Sequence, residues 1–102
     1  MARVLISWVH AQDRNLERVN EEHRQRVQKT LDLMATMEAP VEAVGHYSWY
    51  VELNGQSNEV VAILICRGIA VRTVYSPEKN MRPPTDATKF KIDKNLKKFV
   101  RS

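Results

Sequence analysis

The stretch that decides the fold is Tyr47-Ser48-Trp49-Tyr50-Val51-Glu52-Leu53-Asn54-Gly55. Its apolar and polar side chains alternate with a period of two, which is typical of a strand buried on one face. Asn54-Gly55 favours the positive φ angles of a tight hairpin turn. The chain then returns through an apolar strand over 59–66, and Arg67-Gly68 predicts a second turn before a strand over 69–75.

Two-residue turns would place Trp49 opposite Val60 and Leu64 opposite Val71. One face of the sheet would then carry Tyr47, Trp49, Val51, Val60, Ala62, Leu64, Val71 and Tyr75. The other face would carry His46, Ser48, Tyr50, Glu52, Val61, Ile63, Ile65, Arg72 and Val74. The apolar centre of this second face, Val61, Ile63 and Ile65, is a candidate interface. The C-terminal segment, a second copy of the chain in a homodimer, or a partner would cover it.

The first half of the chain predicts a central strand over 4–9 and one long helix from about Asp13 to about Glu38. One helix face carries Leu16, Val19, His23, Val27, Leu31 and Met34. The ring of Pro40 ends the helix near Ala39. The expected fold is α+β in β-α-β-β-β order, with a mainly antiparallel four-stranded sheet. The long helix would cover one face, and a basic C-terminal segment would follow.

The chain has the length of one domain, and its charge is distributed unevenly. Its 102 residues fit one domain, with an α+β body over 1–78 and a Pro-containing connection and basic segment over 79–102. The formal net charge is +4, but residues 79–102 hold eight basic and two acidic side chains, whereas 1–78 hold eight basic and ten acidic ones. Such asymmetry is the clearest functional hint in the sequence.

The basic segment is the strongest candidate for function. Its cations are Lys89, Lys91, Lys94, Lys97, Lys98 and Arg101. Lysines beside a phosphate backbone release counterions and give affinity without sequence specificity, so we expect nucleic acid or an acidic protein surface as partner. Residues 89–92 predict a short strand, and Asp93 predicts the cap of a final helical turn. Phe90 and Phe99 either stack on unpaired bases or dock the segment onto the sheet.

Other classes of site have little support. No apolar run approaches the ~20 residues that span a bilayer, and no signal-peptide pattern is present. Cys66 is the only cysteine, so we expect a core residue in a cytoplasmic protein. The histidines lack metal-ligand spacing and no glycine-rich loop opens a helix, so we expect neither metal nor cofactor.

A catalytic alternative rests on the second sheet face, where His46, Tyr50, Glu52 and Arg72 would lie together. Glu52 or His46 would act as general base, and Arg72 would stabilise a phosphorane. The helix, hairpin and strand ending Val71-Arg72-Thr73-Val74-Tyr75-Ser76-Pro77 resemble small RelE-type ribonuclease toxins over roughly the second half of the chain. The strand expected over 4–9 departs from that layout.

Three functions follow, in order of preference. The first is a small non-enzymatic binding or regulatory protein that engages nucleic acid or an acidic partner through the basic segment. The second is a protein–protein inhibitor or assembly factor that uses the apolar sheet face. The third is the RelE-like ribonuclease.

Overall fold

The computed structural model describes residues 2–40, 45 and 47–102. Its elements are β1 (Leu5–Ile6), α1 (Trp8–Arg18), α2 (Glu21–Met34), β2 (Ser48–Asn54), β3 (Val60–Arg67), β4 (Ala70–Tyr75), β5 (Thr88–Asp93) and β6 (Lys98–Arg101). A short 3₁₀ turn, Pro77–Lys79, follows β4. The strands form one six-stranded sheet in the order β1-β4-β3-β2-β5-β6. Pairs β1–β4 and β2–β5 are parallel, and the other three pairs are antiparallel.

This architecture corrects the predicted fold class. The sheet is mixed and has six strands rather than four, and two helices replace the single long one. The break falls at Val19, whose backbone is extended at φ −97° and ψ 138°. In one continuous helix, at about 100° per residue, Ala11 and Val27 would point about 160° apart. Both are fully buried, so the chain must bend between them to bring each to the core.

The N-terminal strand is also shorter than predicted. Only Leu5–Ile6 pairs, as a parallel edge strand against β4, rather than as a central strand over 4–9. Trp8 and Val9 belong to α1 and are 37% and 71% exposed. Helix formation therefore outweighs the preference of Trp and Val for strands at these positions.

The hairpin register differs from the prediction because the β2–β3 loop spans residues 55–59, and its positive φ belongs to Asn58. Trp49 pairs with Cys66 rather than with Val60. This shift is even, so Trp49, Val51, Ala62 and Leu64 keep their predicted face, whereas an irregularity at Leu53/Asn54 places Val60 opposite Asn54. A bulge at Ile65/Cys66 changes the outcome on β4, where Val74 faces the core and Tyr75 the opposite face.

The helices and one face of the sheet share a single hydrophobic core. Its members include Ala11, Val19, Val27, Leu31, Met34, Trp49, Val51, Ala62, Leu64, Cys66, Val71, Val74 and Phe90. We call this side of the sheet the helix face and the opposite side the outer face. Leu16, predicted on the core stripe, is 60% exposed instead.

The connection over 76–87 joins parallel strands that lie on either side of β3 and β2, so it must cross the sheet. Its 3₁₀ turn contacts β3, and Pro84 lies beside Ile65 on the outer face. Val61, Ile63 and Ile65 are only 8%, 4% and 8% exposed. In the described part of the chain, these three side chains are therefore largely buried by other residues of the same chain.

Candidate functional site

The basic C-terminal segment forms a hairpin from β5, a tip at 94–97 and β6, which we call the basic hairpin. It replaces the predicted final helical turn. Asp93 does act as a cap, because its carboxylate accepts the backbone N–H groups of Asn95 and Leu96 at 3.0 and 3.1 Å. Lys97 adopts φ 50° and turns the chain into β6. The tip therefore projects two lysines, Lys94 and Lys97, at the end of the sheet's last two strands.

The strand register sorts the remaining cations between the two sheet faces. Lys91 pairs with Val100 and Asp93 pairs with Lys98, so Lys89, Lys91 and Lys98 point to the outer face. Arg101 pairs with Phe90 and points to the helix face. The six predicted cations are thus divided among the outer face, the tip and the helix face.

One of these lysines already has a partner. The ammonium group of Lys89 lies 2.7 Å from Glu52 Oε1. The hydrogen bond that Lys89 donates to Glu52 is the main cause that raises the pKa of Lys89 above its usual value. Lys91, Lys94, Lys97 and Lys98 are exposed, and no described carboxylate pairs with them. These four carry the free positive charge of the hairpin.

The aromatic residues of the hairpin are structural. Phe90 is 2% exposed, and Phe99 is half-buried against the core. Their rings meet Trp49 edge to face, with centroids 5.7 and 5.0 Å away. Phe90 therefore has no exposed ring face for stacking on a base, and Phe99 keeps only part of its ring exposed. Leu96 is the large apolar side chain exposed at the tip, at 63%.

The predicted sheet-face site is only partly described, because His46 lies outside the described residues. Tyr50 and Glu52 both lie on β2, where they pair with Ile65 and Ile63 of β3. Arg72 lies on β4, two strand spacings or roughly 10 Å away. Since Lys89 engages the carboxylate of Glu52, the described members do not form the predicted cluster around a shared phosphate.

A second basic cluster, which sequence reasoning missed, lies between α1 and β4. His10, Arg14 and Arg18 are four residues apart and share one face of α1. Together with Arg72, Thr73 and Tyr75 of β4 they line a groove of about 540 Å³, which we call the arginine groove. The four-residue spacing was visible in the sequence. It carries no signal for a groove as long as residues 4–9 are taken as a strand, because a helix that starts at Asp13 excludes His10.

Cys66 is 1% exposed on the helix face, and its thiol lies 3.7 Å from the carbonyl oxygen of Leu64. Burial raises the pKa of this thiol well above its ordinary value. It therefore stays protonated near neutral pH and is no nucleophile.

We expect Cys66 to resist a thiol-specific disulfide reagent in the native protein at pH 8 and to react at once in denaturant. The unfolded chain ionises this thiol near its ordinary pKa, while the folded chain keeps the proton. The stabilising contribution is thus complete below that pKa and declines as pH rises above it. Rapid native labelling, at a rate independent of denaturant, would contradict the burial of this thiol.

Within the described residues, no three His, Cys, Asp or Glu side chains are grouped to hold a metal ion. No helix there has the length and apolar character needed to cross a membrane. Comparison with protein-family models, with curated proteins and with solved structures found no match to this chain.

Proposed function

We propose that this protein is a small non-enzymatic nucleic-acid-binding protein that contacts the phosphate backbone through the basic hairpin. The observation that carries the proposal is the set of four exposed lysines, Lys91, Lys94, Lys97 and Lys98, without a described acidic partner. Lysines of this kind release condensed counterions on meeting phosphates. Residues 1–78 carry two more acidic than basic side chains, so the positive excess of the chain lies after Glu78.

The buried aromatics define the mode of binding that we propose. Because Phe90 and Phe99 pack on Trp49, base stacking contributes little. We therefore expect duplex to bind at least as well as single strand, since a duplex carries more phosphate charge per unit length. A cytoplasmic location suits such a partner and the single reduced thiol.

The test compares two double variants of equal charge. Lys91→Gln/Lys98→Gln removes two cations from the outer face of the hairpin, and Arg3→Gln/Lys79→Gln removes two exposed cations from β1's flank and the 3₁₀ turn. Binding to a labelled duplex and to one of its strands is followed by fluorescence anisotropy. For the wild type, four phosphate contacts predict roughly a hundredfold loss of affinity between about 50 and about 200 mM salt.

The hairpin double variant should bind more weakly, and the slope of log affinity against log salt should fall by about two. The control variant should leave that slope nearly unchanged. Equal losses in both variants would show that net charge alone drives binding and would refute a hairpin site. Failure of the wild type to bind either nucleic acid at low salt would also refute the proposal and leave the acidic protein surface as the hairpin's partner.

A further inference from the structure

The lining of the arginine groove is one-sided in charge. His10, Arg14, Arg18 and Arg72 contribute to it, and no carboxylate does. Arg14 pairs with Glu17, whose carboxylate lies 2.7 Å away on the exposed surface of α1. A concave surface lined by one sign of charge concentrates anions. Two other grooves of this molecule, which include Glu22 in their linings, lack this feature.

Arg18 is held in place before any ligand arrives. One of its terminal nitrogens donates to the carbonyl oxygen of Val74 at 2.9 Å and to Thr73 Oγ1 at 3.3 Å. Its guanidinium also lies 5.6 Å from the ring centroid of Tyr75. These contacts occupy one terminal nitrogen, and no other described residue accepts from the remaining donors. An anion that binds there therefore meets an ordered guanidinium, which lowers the entropic cost of binding.

Arg72, on β4, lines the same groove as Arg18 on α1. It lies at the bulge beside Ile65/Cys66, and bulges redirect side chains. Its side chain is exposed, and the described residues provide no carboxylate or carbonyl partner for it. Two arginines that line one groove suit the planar, bidentate recognition of phosphate oxygens.

The groove has room for more than an inorganic anion. Its volume of about 540 Å³ falls in the range of small-molecule sites. A second depression of about 430 Å³ adjoins it and shares Arg72, Thr73 and Tyr75. The ring of Tyr75 thus borders both spaces and offers an aromatic surface next to the arginines.

We propose that the arginine groove binds the phosphate group of a nucleotide, with the organic part extending past Tyr75. The nucleotide is either free or part of a strand, and both forms present the same phosphate ester. This site is separate from the basic hairpin, because β3 and β2 lie between β4 and β5. It therefore does not depend on the function proposed for the hairpin.

The experiment measures binding of inorganic phosphate, adenosine 5′-monophosphate and a short 5′-phosphorylated oligonucleotide by isothermal titration calorimetry. The test variant is Arg72→Gln, and Arg3→Gln is its matched control on an exposed arginine outside the groove. We expect Arg72→Gln to weaken binding of the monophosphate about tenfold or more, because a charge-assisted, bidentate contact is lost. Its melting temperature should match that of the wild type, since Arg72 is exposed. Arg3→Gln should bind as the wild type does.

The outcomes separate the two sources and the two sites. Monophosphate binding that persists in Lys91→Gln/Lys98→Gln and weakens in Arg72→Gln supports a free nucleotide as ligand. Binding of the oligonucleotide alone, weakened by Arg72→Gln at constant salt and not by Arg3→Gln, supports a phosphate within a strand. Equal affinities in Arg72→Gln and the wild type, or no binding of any probe by the wild type, would overturn the proposal while leaving the hairpin to be judged by its own salt dependence.

Discussion

Replacement of Trp49 by alanine is expected to lower the free energy of unfolding by about 3–5 kcal/mol. Trp49 is fully buried at the centre of the helix face. It packs edge to face on Phe90 and Phe99, and its indole N–H donates to the carbonyl oxygen of Gly68 at 2.7 Å. Alanine would leave a large cavity and an unpaired buried carbonyl. Because small domains are stable by only about 5–15 kcal/mol, much of the stability would be lost.

Urea unfolding followed by circular dichroism measures this effect without relying on tryptophan emission. Trp8→Ala is the control, because Trp8 is 37% exposed on α1 and should cost much less. Trp49→Phe should fall between the two, since it keeps most of the buried area but loses the hydrogen bond to Gly68. Similar losses at Trp8 and Trp49 would show that the core is not centred on Trp49.

The same substitution should weaken nucleic-acid binding, because Trp49 anchors the basic hairpin through Phe90 and Phe99. In a native-state hydrogen-exchange experiment, amides of β5 and β6 should lose protection before those of β3. The hairpin carries the charge, but its geometry depends on a residue of β2 that contacts no ligand. The candidate site thus depends on core packing.

The faces of β2 and β3 could be predicted from the sequence, whereas their register could not. Alternation fixes which side chains point together, and any even shift in pairing leaves that outcome unchanged. The loop over 55–59 produced such a shift, so Trp49 stayed on the core face although its partner is Cys66 rather than Val60. On β4 the bulge broke the alternation, and Val74 and Tyr75 exchanged their predicted faces. A bulge has no reliable local signal in the chain.

The prediction of one long helix was wrong for a different reason. The apolar spacing of Leu16, Val19 and Val27 fits one continuous helix, and local pattern favoured it. The native core instead takes Ala11 and Asn15 from α1, which are small or polar and carry little periodic signal. Asn15 is tolerated there partly because its amide donates to the carbonyl oxygen of Arg24 at 3.1 Å, across the break between the helices. Such a tertiary contact is invisible in a single sequence.

The two candidate sites also differ in how far the sequence predicts them. Exposure of the C-terminal lysines follows from composition, because unpaired lysines are rarely buried. To predict the arginine groove, one would need to know the start of α1, the bulge on β4 and the position of Arg18 together. Arg72 was singled out from the sequence, but its neighbours are Arg18 and Tyr75 rather than Tyr50 and Glu52.

Replacement of Gly68 by alanine is the second large effect, and we expect a loss of about 2–4 kcal/mol. Gly68 has φ 58° in the two-residue turn between β3 and β4, a conformation that alanine adopts at a cost. A Cβ atom there would lie 2.5 Å from the carbonyl oxygen of Gly45, which is backbone and moves only with its chain. The Gly68 N–H also donates to the carbonyl oxygen of Tyr47 at 2.8 Å, so displacement of the turn would weaken this bond as well.

Gly55→Ala is the matched control for this substitution. The three heavy atoms nearest to its Cβ would belong to the side chains of Glu59 and Val61 rather than to backbone, and Gly55 lacks a positive φ, so we expect a smaller loss, of about 1 kcal/mol. Equal losses at the two glycines would contradict a strained turn at Gly68. Because the Gly68 carbonyl accepts the indole N–H, Gly68→Ala and Trp49→Phe should be non-additive when combined in one chain. Displacing the turn already weakens that hydrogen bond, and removing the indole then costs less. The double variant should therefore be more stable than the sum of the single losses predicts, and strict additivity would show that turn and core respond independently.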